Sequence, residues 1–309
     1  IKYLLDYYES KLQGLITTHS NEMVRVAGIS HLRVIRHVGN FKSELYDLSI
    51  LVKDLKKSEE MEDKELANFF DWFFEIGYSE IVFADRAIFY EGDTERLYIR
   101  KVMTLEKYKK LKQQYVAFIQ VGGAYAKNYE KLIKLLGIKS LIITDIDYGK
   151  SEIVIEDVKK SKTTNATIEY FYSINNSTDT PTVEELYSWK ETGGNIIEDL
   201  IYVCFQTKDD GYARTLEEAM INKYFDMDVS KCYKKSDWKE KRKDSELKFS
   251  IPRMKNKKEI ADDDMVSVRD ILAATSGNKT DFMCSVIMKD YVKKMLPDYI
   301  ERGLEWLMK

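Results

Sequence analysis

Phe89-Tyr90-Glu91-Gly92-Asp93-Thr94-Glu95-Arg96 and Leu141-Ile142-Ile143-Thr144-Asp145-Ile146-Asp147 are the two stretches that decide the fold. In each, a short apolar run ends in acidic residues, the pattern of a buried strand running into a functional loop. Arg86 to Tyr90 reads as a strand, Gly92 as the tight turn after it, and Thr94 to Lys107 as a helix. Tyr115 to Val121 is a second strand ending in Gly122-Gly123, Tyr125 to Leu136 a second helix, and Ser140 to Thr144 a third strand. Strands spaced by helices of about 10 to 15 residues predict βαβ units, hence an α/β fold with a parallel sheet and helices on both faces.

The acids sit where such a sheet gathers its reactive groups, at the carboxyl ends of strands. Glu91 ends the first strand and Glu95 lies on the first helical turn, so both face one point. Asp145 and Asp147 follow the third strand, and period-two geometry sends them to one side. Four carboxylates at adjacent strand ends form a hard, oxygen-only, negatively charged cradle, which is what Mg²⁺ or Mn²⁺ requires. A single acid at a helix start is ordinarily a cap or dipole partner. Two such motifs in this order, one strand and one helix apart, make a metal site the expectation.

Outward from this core the chain changes character. Residues 1 to 40 give an amphipathic opening and short β-rich runs, and Glu44 to Glu75 reads as one lysine- and glutamate-rich connecting helix. Residues 172 to 195, rich in Ser, Thr, Asn and Gly, read as a long surface loop. From Lys231 to Lys258 basic residues outnumber acidic ones about three to one. Val266 to Lys309 is mostly helical, with Pro297 starting the last helix.

Composition narrows the classes. A chain of 309 residues, 44% hydrophobic and 33% charged, buries a full core, and its length suggests about two domains. No apolar run approaches the roughly 18 residues of a membrane span, so no membrane association is expected and the cytoplasm is the expected address. Cys204, Cys232 and Cys284 show no C-x-x-C spacing, so neither a zinc knuckle nor a disulfide framework is indicated. A net charge of -3 means that any grip on nucleic acid must be local. Lys234, Lys235, Lys239, Lys241, Arg242 and Lys243 around Trp238 supply such a patch, with phosphate contact and base stacking both available. Its plainer reading is a solvated charged segment. The chain starts at Ile1 with no initiator methionine, and a fragment of a larger protein is expected.

Over about residues 80 to 150 the sequence resembles the Toprim domain, and Phe83 to Arg96, Gln120-Val-Gly-Gly123 and Leu141 to Asp147 resemble the OLD (overcoming lysogenisation defect) family of nucleases most. The resemblance implies a Toprim, Rossmann-like sheet with a C-terminal helical subdomain. It divides the chain into 1–40, the end of an ABC-type ATPase domain; 41–79, a helical linker; 80–225, the Toprim core; and 226–309, a basic segment and helical subdomain. It implies two-metal hydrolysis of DNA by an endodeoxyribonuclease. One Mg²⁺ or Mn²⁺ is then held by Glu91, Glu95 and the Asp145/Asp147 pair, the other by Asp145, Thr215 and Glu217. Glu91 shuttles a proton in this scheme and Lys279 stabilises the transition state. His19 in Thr17-Thr-His-Ser20 resembles the ATPase switch histidine, so ATP acts only through an ATPase part ahead of Ile1; Gly149-Lys150-Ser151 is no P-loop, because Thr144 stands where the first glycine belongs. DNA, a homo-oligomer in the full-length protein, a helicase or other defence partner, and a role against phage are implied in the same way. Two other readings stay open: a Toprim RNase acting on structured RNA or tRNA, and a non-catalytic Toprim assembly module.

Overall fold

The structure, a computed structural model, describes residues 14–39, 41–122, 125–149, 154–176, 180–237, 240, 247, 265–270 and 279–309. It opens with helix α1 (Asn21–Ala27), capped by Ser20, and an antiparallel hairpin of β1 (Arg33–Gly39) and β2 (Lys42–Asp47). Two helices follow where one was expected over 44–75: α2 (Leu48–Lys57) and α3 (Met61–Glu75). The difference is local. Asp47 ends β2 and caps α2 by accepting from the Ser49 N–H, and Ser58 leaves the helix in extended conformation. Phe70, Phe73 and Phe74 of α3 are completely buried, so this helix is part of the core.

The central sheet contains β3 (Arg86–Tyr90), β4 (Val116–Gln120), β5 (Lys139–Ile143), β6 (Ile196–Ile197) and β7 (Ile201–Cys204), in the order β4-β3-β5-β7-β6. All neighbours are parallel except the short edge pair of β6 and β7. The longer helices between the strands are α4 (Asp93–Val102) and α5 (Glu130–Leu136), then α6 (Ala166–Ser173) and α7 (Val183–Glu191) between β5 and β6. The strands are apolar on both sides, apart from polar residues at their ends such as Arg86, Gln120 and Lys139, because both faces are covered. Ala87, Phe89, Ile142 and Val203 pack with α3, α5, α6 and α7 on one face. Ile88, Leu141, Tyr202 and Cys204 pack on the other with α4 and the C-terminal helices. Those helices are α8 (Leu216–Phe225), α9 (Lys279–Met288) and α10 (Asp298–Met308), the last preceded by Pro297 as expected. A small pair, β8 (Cys232–Lys234) with β9 (Met265–Ser267), lies between α8 and α9 in sequence. None of the described helices is long and apolar enough to cross a membrane.

The loop expected over 172–195 contains α7 instead. Thr182 and Glu185 form a capping box, and Val183, Leu186, Tyr187 and Trp189 bury one face. Polar composition concealed a Thr-x-x-Glu start signal that was present in the sequence. Thr182→Ala is expected to lower stability by about 1 kcal/mol; urea unfolding of the two proteins measures it, and an unchanged midpoint would count against the cap.

Candidate active site

Glu91 follows β3 directly, and the register that sets Phe89 opposite Ile142 brings Thr144 to its side. The Thr144 hydroxyl donates to Glu91 Oε1, and the Asp145 N–H approaches the same oxygen at 3.4 Å. Burial is the main reason the Glu91 carboxyl titrates above its ordinary range, with Asp147 and Glu95 adding repulsion and the Thr144 bond opposing it. Gly92 caps α4 in extended backbone, φ -140°, which any residue adopts, so a tight turn is not what it provides. Its lack of a side chain matters instead: a Cβ there would stand 3.0 Å from Glu95 Oε2. Glu95 also accepts from the Thr94 hydroxyl at 3.1 Å, and burial, then Glu217, pushes its carboxyl upward.

Asp145 is the centre of the arrangement. Its Oδ1 accepts from Gln206 Nε2 at 2.7 Å and from the Leu216 N–H at 3.1 Å, so the N-terminus of α8 points at it. Burial and the charges of Glu91, Glu217, Glu95 and Asp147 drive its carboxyl well above the usual range. Asp147 is placed differently from the expectation. β5 ends at Ile143, so strand periodicity no longer governs residue 147, whose φ is +47°. Its carboxylate pairs with Arg214 at 2.7 Å, and the Arg214 Nε donates to the Tyr148 carbonyl.

Thr215 caps α8 by accepting from the Glu218 N–H. Glu217 on the first turn is 1% exposed; its Oε2 accepts from Lys279 Nζ at 2.9 Å, while its Oε1 is buried with no hydrogen-bond partner. Burial lowers the Lys279 ammonium's affinity for its proton, but Glu217, Asp145 and Glu95 outweigh that and the net shift is upward. The structure thus brings Glu91, Glu95, Asp145, Asp147, Thr215, Glu217 and Lys279 to one end of the sheet. Among the described residues no three His, Cys, Asp or Glu side chains meet the spacing of a ready-made cation site. The chemistry of the donors nonetheless fits a hard divalent cation, being all oxygen and leaving Glu217 Oε1 buried without a donor.

Two positioning residues lie outside both acidic motifs. Asn165 accepts from the Thr167 and Ile168 N–H groups with its Oδ1, capping α6, while its Nδ2 donates to Thr144 Oγ1 at 2.6 Å and the Asp145 carbonyl at 2.9 Å. An Asn before a helical run is a recognisable cap, yet nothing in sequence ties that cap to Glu91. Gln206 is the other. His19 is exposed in an irregular segment just before α1. Of the expected nucleic-acid patch, Lys234 is exposed on β8 and Lys235 is 5% exposed, too buried as it stands to meet a surface phosphate. Trp238, Lys239, Lys241, Arg242 and Lys243 lie outside the described residues. A separate groove of about 810 Å³ runs between α3 and the segment after β4, lined by Trp72, Tyr125 and Tyr170 with several acids. One of its lining residues, Gln120, approaches the Glu91 carbonyl with its side chain at 3.4 Å.

The raised carboxyls have a signed consequence. A folded-state value above the unfolded one means the native protein holds the extra protons, so stability falls as pH rises through and above the ordinary values of 3.8 for Asp145 and 4.5 for Glu91 and Glu95. Carboxyls with lowered values, such as Asp47 and Glu185, act only below that window. Thermal melts in EDTA are therefore expected to show a lower Tm at pH 8 than at pH 5.5; the reverse order would count against a buried acidic cluster.

An α/β sheet with acids at the ends of β3 and β5 fits a Toprim-type domain, and residues 82–147 match the family model of the Toprim domain of overcoming-lysogenization-defect-like proteins. The chain carries an OLD-like Toprim domain. Nearly its whole length resembles one curated protein: it is 26% identical over 319 aligned positions, covering 96% of this chain, to Endonuclease GajA of Bacillus cereus (strain HuB5-5). The chain spans 43% of that relative's length.

Proposed function

We propose that this chain is the nuclease part of an OLD-type, ATP-gated endonuclease that hydrolyses DNA with two divalent ions. The observation that carries the reading is the convergence of Glu91, Glu95, Asp145 and Glu217 at one sheet end, with Asp145 feeling the charge of the other three. Similarity to a protein named as an endonuclease supports it. Glu91, Glu95 and the Asp145/Asp147 pair would hold one Mg²⁺ or Mn²⁺; Asp145, Thr215 and Glu217 would hold the other. Such ions, when bound, activate water and neutralise the leaving oxygen of a phosphodiester.

The chain's own groups supply the remainder. Glu91 has the raised carboxyl suited to taking a proton from the attacking water, held in place by Thr144 and Asn165. Lys279 presents an ammonium beside Glu217, where it would stabilise charge on the phosphoryl oxygens. Arg214 holds Asp147 and keeps it near the cluster. Division into an ATPase end, linker, Toprim core and basic C-terminal part belongs to the same proposal. So do gating by ATP through His19 and a preceding ATPase part, DNA grip by the basic segment, oligomerisation in the full-length protein, a defence partner and a cytoplasmic role against foreign DNA.

Supercoiled plasmid and a structured RNA incubated in parallel with the chain and Mg²⁺, Mn²⁺ or EDTA test the reading. Nicking or linearisation of the plasmid that EDTA abolishes is the expected result. Cleavage of RNA alone transfers the same site to the RNase reading, and EDTA-insensitive cutting or none in either tube overturns the proposal.

A further inference from the structure

Gln206 is completely buried just past the end of β7, and every polar atom of its side chain is used. Its Oε1 accepts from the Ile146 N–H at 2.9 Å, which fixes the loop between Asp145 and Asp147. Its Nε2 donates to Asp145 Oδ1 at 2.7 Å and to the Tyr299 hydroxyl at 3.2 Å. An amide placed this way cannot turn without breaking three contacts in a buried setting, where lost hydrogen bonds are expensive.

Tyr299 comes from the first turn of α10, almost a hundred residues further along the chain, and is itself fully enclosed. Pro297 gives α10 no side-chain cap. The buried Asp210 does so from elsewhere in the chain: its Oδ1 accepts from the Asp298 N–H at 2.7 Å and from the Tyr299 N–H at 3.3 Å, and its Oδ2 accepts from the Thr207 N–H at 2.9 Å. The Cys204 thiol donates to the Tyr299 carbonyl at 3.0 Å. Residues 204 to 210 thus clamp the start of α10 on one side and hold Asp145 on the other, with Gln206 between.

We propose that Gln206, braced by Tyr299 of the C-terminal helix, is a positioning residue that commits Asp145 Oδ1 to protein donors and turns Oδ2 toward the divalent ions. The inference rests on the divalent-metal reading above and deepens it by making α10 part of the site. Groups that orient a metal-binding side chain in this manner typically change affinity by about 10- to 100-fold when removed.

The test is Mn²⁺ binding to the full chain followed by electron paramagnetic resonance, which counts free ion and needs no turnover. Gln206→Met keeps the length and removes the amide; it is expected to weaken Mn²⁺ binding about tenfold. Tyr299→Phe removes only a hydroxyl and is expected to weaken it about threefold. Because Tyr299 acts through Gln206, adding Tyr299→Phe to Gln206→Met is expected to change nothing further. If Gln206→Met does not fold, Tyr299→Phe decides alone. Parent-like affinity in a variant whose near-ultraviolet circular dichroism matches the parent, or additive losses in the double variant, overturns the proposal. A parent chain that binds no Mn²⁺ would overturn the divalent-metal reading itself, which separates the two failures.

Discussion

Asp145→Asn is expected to reduce DNA cleavage by about a thousandfold or more while leaving the chain folded, because charge stabilisation by metal is worth several kcal/mol and each 1.36 kcal/mol is about tenfold in rate. In the proposed site Asp145 alone serves both ions. The substitution is close to isosteric, and an amide oxygen still accepts from Gln206 Nε2 and the Leu216 N–H. The negative charge is lost and an amide NH2 replaces the ion-facing Oδ2; the lost charge is one repelled by Glu91, Glu217, Glu95 and Asp147. Activity and stability should therefore move in opposite directions. At pH 8 in EDTA the Asn variant is expected to melt at or above the parent's Tm, since a buried charge in a crowd of like charges has been removed. Glu91→Gln should behave in the same way, because its Oε1 can still accept from Thr144. Plasmid cleavage and thermal melts on the same samples measure both halves. Parent-like cleavage by Asp145→Asn would remove Asp145 from the chemistry, and a large fall in Tm would mean that its role is structural.

Gly303→Leu is expected to destabilise the protein by about 3 kcal/mol or more, a drop in Tm of roughly 6 to 12 °C. Gly303 lies in the middle of α10, where glycine is ordinarily a poor choice: alanine would favour the helix by about 1 kcal/mol. Here the backbone of α10 is pressed against the sheet. A Cβ at 303 would stand 2.8 Å from Cys204 Sγ and 3.0 Å from Leu141 Cδ1, both in completely buried residues. Neither neighbour has room to retreat, because Leu141 belongs to β5 and Cys204 to β7. Even Gly303→Ala is expected to lose about 1 kcal/mol net, overpacking exceeding the gain in helix propensity. Chemical unfolding of the two variants measures this, and a stabilised alanine variant would show that α10 sits less tightly on the sheet. Since α10 also carries Tyr299, the leucine variant should lose Mn²⁺ affinity along with stability.

Much of the architecture was legible in the order of apolar runs. Both faces of the sheet are covered, so the central residues of β3, β4 and β5 are apolar on both sides, with polar residues only at the strand ends, and these runs read as strands. The helices at the chain's margins were less legible. The apparent single helix over 44–75 hid a strand and two helices, because a charged, leucine-bearing segment fits a helix wherever it is cut. The Ser/Thr/Asn-rich stretch hid α7, since its polar composition resembles a loop even though it holds a capping box and the buried Leu186 and Trp189.

Local sequence by itself determined which acids stand at the strand ends: Glu91 and Asp145 are there because β3 and β5 stop at Tyr90 and Ile143, and parallel neighbours must end side by side. Only the tertiary structure decided how those acids are held. Asp147 left the strand's periodicity for a left-handed backbone and a salt bridge to Arg214, sixty-seven residues away. Glu217 met Lys279 sixty-two residues on, and Asp145 met Gln206 sixty-one residues on. Periodicity encodes where a side chain lies on its own element. Hydrogen bonds and ion pairs between elements depend on which surfaces pack together, and that is settled only when the whole core closes.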